Sequence, residues 1–124
     1  MALQIGDIIS FERTFTLEDV ELFTKVSGDA GVHHVSPDEQ GKLVVQGLLT
    51  ATLPTKIGGD HNVLARSVNF DFLRPVFTGD TIICEVTIEK YEKQENRLSI
   101  LASFLCTNQN EKKVLSGSFS GVIL

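Results

Sequence analysis

The chain has 124 residues, 42% of them hydrophobic, and a formal net charge of −5. That length makes one domain, residues 1–124, and the ordinary apolar content excludes a disordered chain. The acidic balance argues against a nucleic-acid binder, which would carry a basic stripe, and no apolar run approaches the ~18 residues of a membrane span. The N-terminus shows no basic region followed by an apolar core, so no signal peptide is expected, and two cysteines without disulfide or metal spacing make the cytoplasm the expected compartment.

Asp7 to Phe15 reads as a first strand, with Ile9, Phe11, Arg13 and Phe15 on one face. Thr16 then supplies an N-cap, and Asp19 the acidic partner of a capping box. Val20, Phe23 and Val26 recur at helical spacing, and Ser27-Gly28 should close the helix, because Gly can take a positive φ. Asp29, Gly31, His33 and His34 follow on a Gly-rich turn. Such a turn can aim a carboxylate and an imidazole at one point, where they can hold, deprotonate and reprotonate a water molecule.

Gly31 to Leu43 is polar and turn-rich and reads as a loop. Gln46 to Ile57 is the second helix candidate. Leu48, Leu49, Ala51, Leu53 and Ile57 make it apolar nearly all round, which predicts burial, with Gly58-Gly59 as its stop. Pro54 predicts a kink or an early end, since an interior Pro removes a hydrogen bond at a cost of about 3 kcal/mol.

Four strand-like segments follow, near Val63–Arg74, Thr81–Tyr91, Arg97–Thr107 and Lys113–Ile123. In the second, Ile82, Cys84, Val86 and Ile88 alternate with Ile83, Glu85, Thr87 and Glu89, the pattern of an antiparallel strand with one covered face. Cys84 and Cys106 sit in such alternating segments and read as buried thiols, with no spacing that supports a disulfide or a metal site. One strand, a helix, a buried helix and four strands suit a curved antiparallel sheet wrapped around an apolar helix, an α+β architecture.

In this order the chain resembles the MaoC-like family, the hot-dog proteins that include (R)-specific enoyl-CoA hydratases and related 3-hydroxyacyl-thioester dehydratases. Three blocks carry the resemblance. The first is Gly6-Asp7, then Thr16-Leu17-Glu18-Asp19-Val20, Phe23 and Ser27-Gly28-Asp29. The second is Val45-Gln46-Gly47-Leu48-Leu49, and the third runs from Phe72-Leu73-Arg74-Pro75 to Gly79-Asp80-Thr81. The resemblance implies a hot-dog fold with a sheet of about five strands. It implies a homodimer with an acyl-CoA or acyl-carrier thioester entering between subunits, and no metal or redox cofactor. It places the catalytic pair on Asp29 and His34, and a thioester-holding backbone N–H on Gly47. Gly31, at the Asn of the family motif, and Thr55, where similar hydratases carry a small hydroxyl residue lining the acyl pocket, are further substrate-site candidates.

The chain departs from the family pattern at three points. Gly31-Val32 replaces Asn-Pro, Gln46 replaces the His before Gly47, and the loop from His34 to Gln46 is several residues shorter. Hydration of a 2-enoyl thioester needs water at Cβ, a proton at Cα and a stabilised enolate oxygen. Asp29 and His34 could grip one water, and Gly47 N–H, at the predicted start of the buried helix, would favour negative charge. The departures leave open a protein that binds acyl thioesters without turnover, and hot-dog proteins also hydrolyse thioesters.

His33 is expected to face solvent or line the substrate, because neighbours in an extended chain point apart, and His61 to be exposed. A metal site built from His33, His34 and Asp29 is disfavoured for the same reason. Asp80 reads as turn chemistry. Arg66, Arg74 and Arg97 read as surface charges, with phosphate contact as the alternative.

Overall fold

A computed structural model describes residues 3–124. Strand β1 spans Ile8–Thr14 and helix α1 Leu17–Ser27. The junction is the capping box read from the sequence: Thr16 Oγ1 accepts Asp19 N–H at 3.1 Å, and Asp19 Oδ2 accepts Thr16 N–H at 2.9 Å. Gly28 closes the helix at φ 75. Partial burial raises the Asp19 pKa, but the Thr16 hydrogen bonds and the Arg13 guanidinium outweigh it and hold the carboxyl below its ordinary 3.8. A depressed folded-state pKa stabilises the fold above the unfolded value, and that contribution is lost as pH falls through the folded value. Asp19→Ala is therefore expected to cost about 1 kcal/mol at neutral pH, read as a lower urea midpoint at unchanged slope. The gap from wild type should narrow in acid below pH 3.8.

The predicted loop after Gly31 contains one helical turn, α2, at Val32–Val35. The second helix candidate is two pieces, α3 at Gly47–Thr50 and α4 at Thr52–Asp60. Pro54 ends neither. It stands in the first turn of α4, where an N–H would lack an intrahelical acceptor anyway. It does forbid a continuous helix, because it offers no N–H to the Thr50 carbonyl and its ring crowds that group. The break therefore falls at Ala51. Gly58-Gly59 does not stop α4 either: the helix runs on to Asp60, where His61 N–H caps the Gly58 and Gly59 carbonyls. Leu53, Pro54 and Ile57 are buried, but Leu48 is 59% exposed, so the segment is not covered all round. His61 is half-buried rather than exposed.

Strands β2 (Val63–Phe72), β3 (Thr81–Gln94), β4 (Arg97–Thr107) and β5 (Lys113–Ile123) complete the chain. The five strands form one sheet, ordered β1-β3-β4-β5-β2, with every pair antiparallel. Helix α4 packs against both edge strands, β1 and β2, and against β3, so the sheet curls around it. The alternation in β3 places Ile82, Cys84, Val86 and Ile88 in the core. Cys84 faces Cys106 across the β3–β4 ladder, and both are free and buried. The neighbouring Cys106 thiol and burial push the Cys84 pKa upward, which keeps it a protonated, unreactive thiol.

Strand β2 is an edge, with Leu64, Val68 and Phe72 exposed. It lies so close to β5 that a Cβ on Gly117 would collide with the Asn69 carbonyl oxygen, and one on Gly121 with that of Leu64.

Candidate active site

The end of α1 aims Asp29. Ser27 Oγ donates to the Phe23 carbonyl at 2.7 Å and accepts Asp29 N–H at 3.0 Å. Gly31 N–H donates to Asp29 Oδ1 at 3.3 Å, and the Gly31 carbonyl accepts His34 N–H at 2.8 Å. A Cβ on Gly31 would crowd the His33 ring at 3.1 Å and the His34 ring at 3.3 Å. A side chain there would require the two rings to give by a few tenths of an ångström. Gly31 thus engages Asp29 through its backbone and is not among the residues that line the cavity described below.

His34 is 7% exposed. Its Nδ1 lies 2.6 Å from the Val44 carbonyl. A carbonyl only accepts, so Nδ1 carries the hydrogen, and Nε2 of the neutral ring presents a lone pair. Nε2 lies 3.5 Å from Asp29 Oδ2, on a carboxylate whose side chain is 51% exposed. Two acceptors at that distance do not bond each other. They suit a shared water, one hydrogen to each, or an ion pair once the ring is protonated.

Gln46 stands where the sequence pattern has a His. Its amide is 1% exposed, and Nε2 donates to Thr24 Oγ1 at 2.8 Å, with longer contacts to the Asp29 carbonyl at 3.4 Å and the Val20 carbonyl at 3.5 Å. Gln46 therefore ties α1 to the backbone of Asp29. Only the tertiary structure shows this role, because the partners lie 17 to 26 residues away.

An open cavity of about 350 Å³ lies beside His34. His33, His34, Gly47, Thr50, Phe72 and Arg74 are among its walls. His33 and His34 both border it because α2 is helical: neighbouring side chains there diverge by about 100°, not by the half-turn of an extended chain. Their ring centroids are 3.9 Å apart. Of the three arginines singled out, Arg74 is the one at this cavity, with Nη1 donating to the Lys113 carbonyl at 2.7 Å. Thr55 is not brought here. Its hydroxyl donates to the Thr52 carbonyl at 2.9 Å, and it borders a separate apolar cavity of about 140 Å³ between α4 and β2. Thr50, on α3 before the Ala51 break, is the threonine in the wall of the His34 cavity, whereas Thr55 lies on α4 beyond it. Asp80 is a turn organiser: its carboxylate accepts Phe77 N–H and Gln109 Nε2–H, each at 2.9 Å.

A five-stranded antiparallel sheet curled around a helix defines the class: the chain has the hot-dog fold. Its structural neighbours are (R)-hydratase and MaoC-like hot-dog proteins. The (R)-hydratase of A. caviae involved in PHA biosynthesis superposes with a TM-score of 0.85 at 21% identity, covering 99% of this chain and 98% of that one. The MaoC-like dehydratase of Rhodospirillum rubrum superposes with a TM-score of 0.78 at 15% identity, covering 98% and 93%. A mitochondrial 3-hydroxyacyl-[acyl-carrier-protein] dehydratase of Arabidopsis thaliana is 26% identical over 129 residues, spanning 98% of this chain and 78% of its own length. Residues 45–95 match the family model described as Thioesterase superfamily.

Proposed function

We propose that the protein is a lyase that reversibly hydrates trans-2-enoyl thioesters to (R)-3-hydroxyacyl thioesters. The observation that carries the reading is the pair of acceptors, Asp29 Oδ2 and His34 Nε2, 3.5 Å apart, with His34 in the cavity wall and the Asp29 carboxylate reaching it from outside the lining. A water held through both hydrogens turns its oxygen lone pair outward, toward Cβ of a bound thioester. As the O–Cβ bond forms, the C=C π pair moves to the Cα–carbonyl carbon bond, and the carbonyl oxygen takes the negative charge. A proton leaves the water for the pair and returns from it to Cα on the same face, which collapses the enolate and regenerates the site. Gly47 N–H, on the first residue of α3, has no intrahelical acceptor and lies in the cavity wall, where it can hold the thioester oxygen. Because α3 is a single turn, the support is the free N–H itself and not a helix dipole.

The substrate group is a phosphopantetheine thioester, which CoA and an acyl carrier share. The Arabidopsis relative's description names the carrier form, and Arg74 at the cavity can meet a phosphate of either. The assembly is a homodimer. Strand β2 offers a free edge and exposed Leu64, Val68 and Phe72 to a second copy, and Phe72 also lines the cavity.

Crotonyl-CoA, longer enoyl-CoAs and crotonyl-carrier protein test this, following enoyl absorbance and free thiol together. Absorbance loss without thiol is the expected result. Thiol release would favour the hydrolase reading, which the match over residues 45–95 also supports. Ligand-dependent thermal stabilisation with neither signal would identify a binding protein.

A further inference from the structure

Thr50 has no part in the sequence reading. It is 3% exposed and lines the His34 cavity. Its backbone N–H is used, donating to the Gln46 carbonyl at 3.1 Å, but its hydroxyl makes no hydrogen bond among the described residues. Each of the other threonines on these helices, Thr52 and Thr55, returns its hydroxyl to a helix carbonyl. A hydroxyl sealed in the protein without a partner would be costly. Among the described residues the sealed, unpartnered side-chain polar atom is Gln46 Oε1, so the Thr50 hydroxyl is instead open to the cavity.

Gly47 and Thr50 are three positions apart on α3 and therefore share a face. One presents a backbone N–H without an intrahelical acceptor, the other an uncommitted O–H, and both line the same wall. Two donors on one wall of a cavity that no carboxylate among the described residues lines are what an oxygen gaining negative charge requires.

We propose that Thr50 is a second oxyanion donor, its hydroxyl hydrogen-bonding the thioester oxygen beside Gly47 N–H as the enolate forms. This rests on the hydratase reading above. In the addition step the charge displaced from the C=C bond resides on that oxygen. The Thr50 hydrogen bond shortens as the charge grows and relaxes when Cα is protonated, and no proton is transferred to or from Thr50. The contact is worth more in the transition state than in the ground state, so its loss should appear in kcat more than in KM.

The test compares wild type, Thr50→Val and Thr50→Ser with crotonyl-CoA, with Asp29→Asn as the reference for the reading beneath it. Val keeps the shape of Thr and removes only the hydroxyl, and Ser keeps the hydroxyl. The expected result is a loss of about 10²-fold in kcat for Thr50→Val with KM changed little, and recovery to within about tenfold of wild type for Thr50→Ser. Melting curves of both variants establish that the fold is retained. An unchanged kcat in a folded Thr50→Val, or a rise in KM alone, would overturn the oxyanion role while leaving the hydratase reading intact. Equal loss in the Val and Ser variants would also overturn it, as a packing effect. Absence of hydration by the wild type on every chain length tried would overturn both.

Discussion

Asp29→Asn is expected to lower kcat for enoyl-thioester hydration by about 10³-fold or more, the upper range for a positioned acid–base group. Asn keeps the shape of Asp, and its carbonyl oxygen can still accept Gly31 N–H. Its amide nitrogen, however, would point a donor at His34 Nε2, where the carboxylate offers an acceptor 3.5 Å away. The water would then lose one anchor and the ring its only lone pair. Because the Asp29 side chain is half exposed, the melting temperature should change little, which separates loss of chemistry from loss of fold. Turnover equal to wild type in a folded Asp29→Asn would remove the pair from the mechanism.

Gly117→Ala is expected to have the largest effect on stability, a loss of about 3 kcal/mol or more, or failure to accumulate in soluble form. The added methyl would meet the Asn69 carbonyl, which is backbone of the paired strand and cannot swing aside as a side chain can. Relief requires β2 to move off β5, and β2 carries Phe72, a wall of the His34 cavity. A companion change calibrates the measurement. Gly59→Ala in α4 meets nothing within 4 Å, and replacing a helical Gly should stabilise by up to about 1 kcal/mol. Denaturant melts of the two variants should therefore move in opposite directions. A Gly117→Ala protein as stable as wild type would mean that β2 does not approach β5 this closely.

What the sequence made legible was local. Thr16, Asp19 and Gly28 mark the ends of α1 through contacts within a few residues, and the period of two in Thr81–Tyr91 states which side of β3 is covered. The pairing of Asp29 with His34 was also within reach, because one short turn holds both. What stayed illegible depends on partners far along the chain. The consequence of Pro54 appears three residues earlier, at Ala51, because a Pro acts on the carbonyl four positions before it. The turn α2 is too short to show periodicity. Gln46 looked like the loss of a functional His, and only the positions of Val20, Thr24 and Asp29 show it fastening the site. The spacing that makes Gly117 and Gly121 critical exists only once β2 and β5 are in register.

The main chain around Val44 fixes more than the position of a ring. Val44 accepts from His34 Nδ1 and donates its own N–H to the His33 carbonyl at 2.9 Å, while Val45 N–H bonds the Val76 carbonyl at 2.7 Å. With Nδ1 committed to a carbonyl, every proton that His34 exchanges in the proposed reaction must pass through Nε2, a single point on one side of the cavity. Hydroxyl and hydrogen are then delivered from the same direction, and deuterium from heavy water should appear at Cα on the face that bears the new C–O bond. The same-face course of the addition would be written in a peptide carbonyl, beyond the reach of any side-chain substitution at position 44.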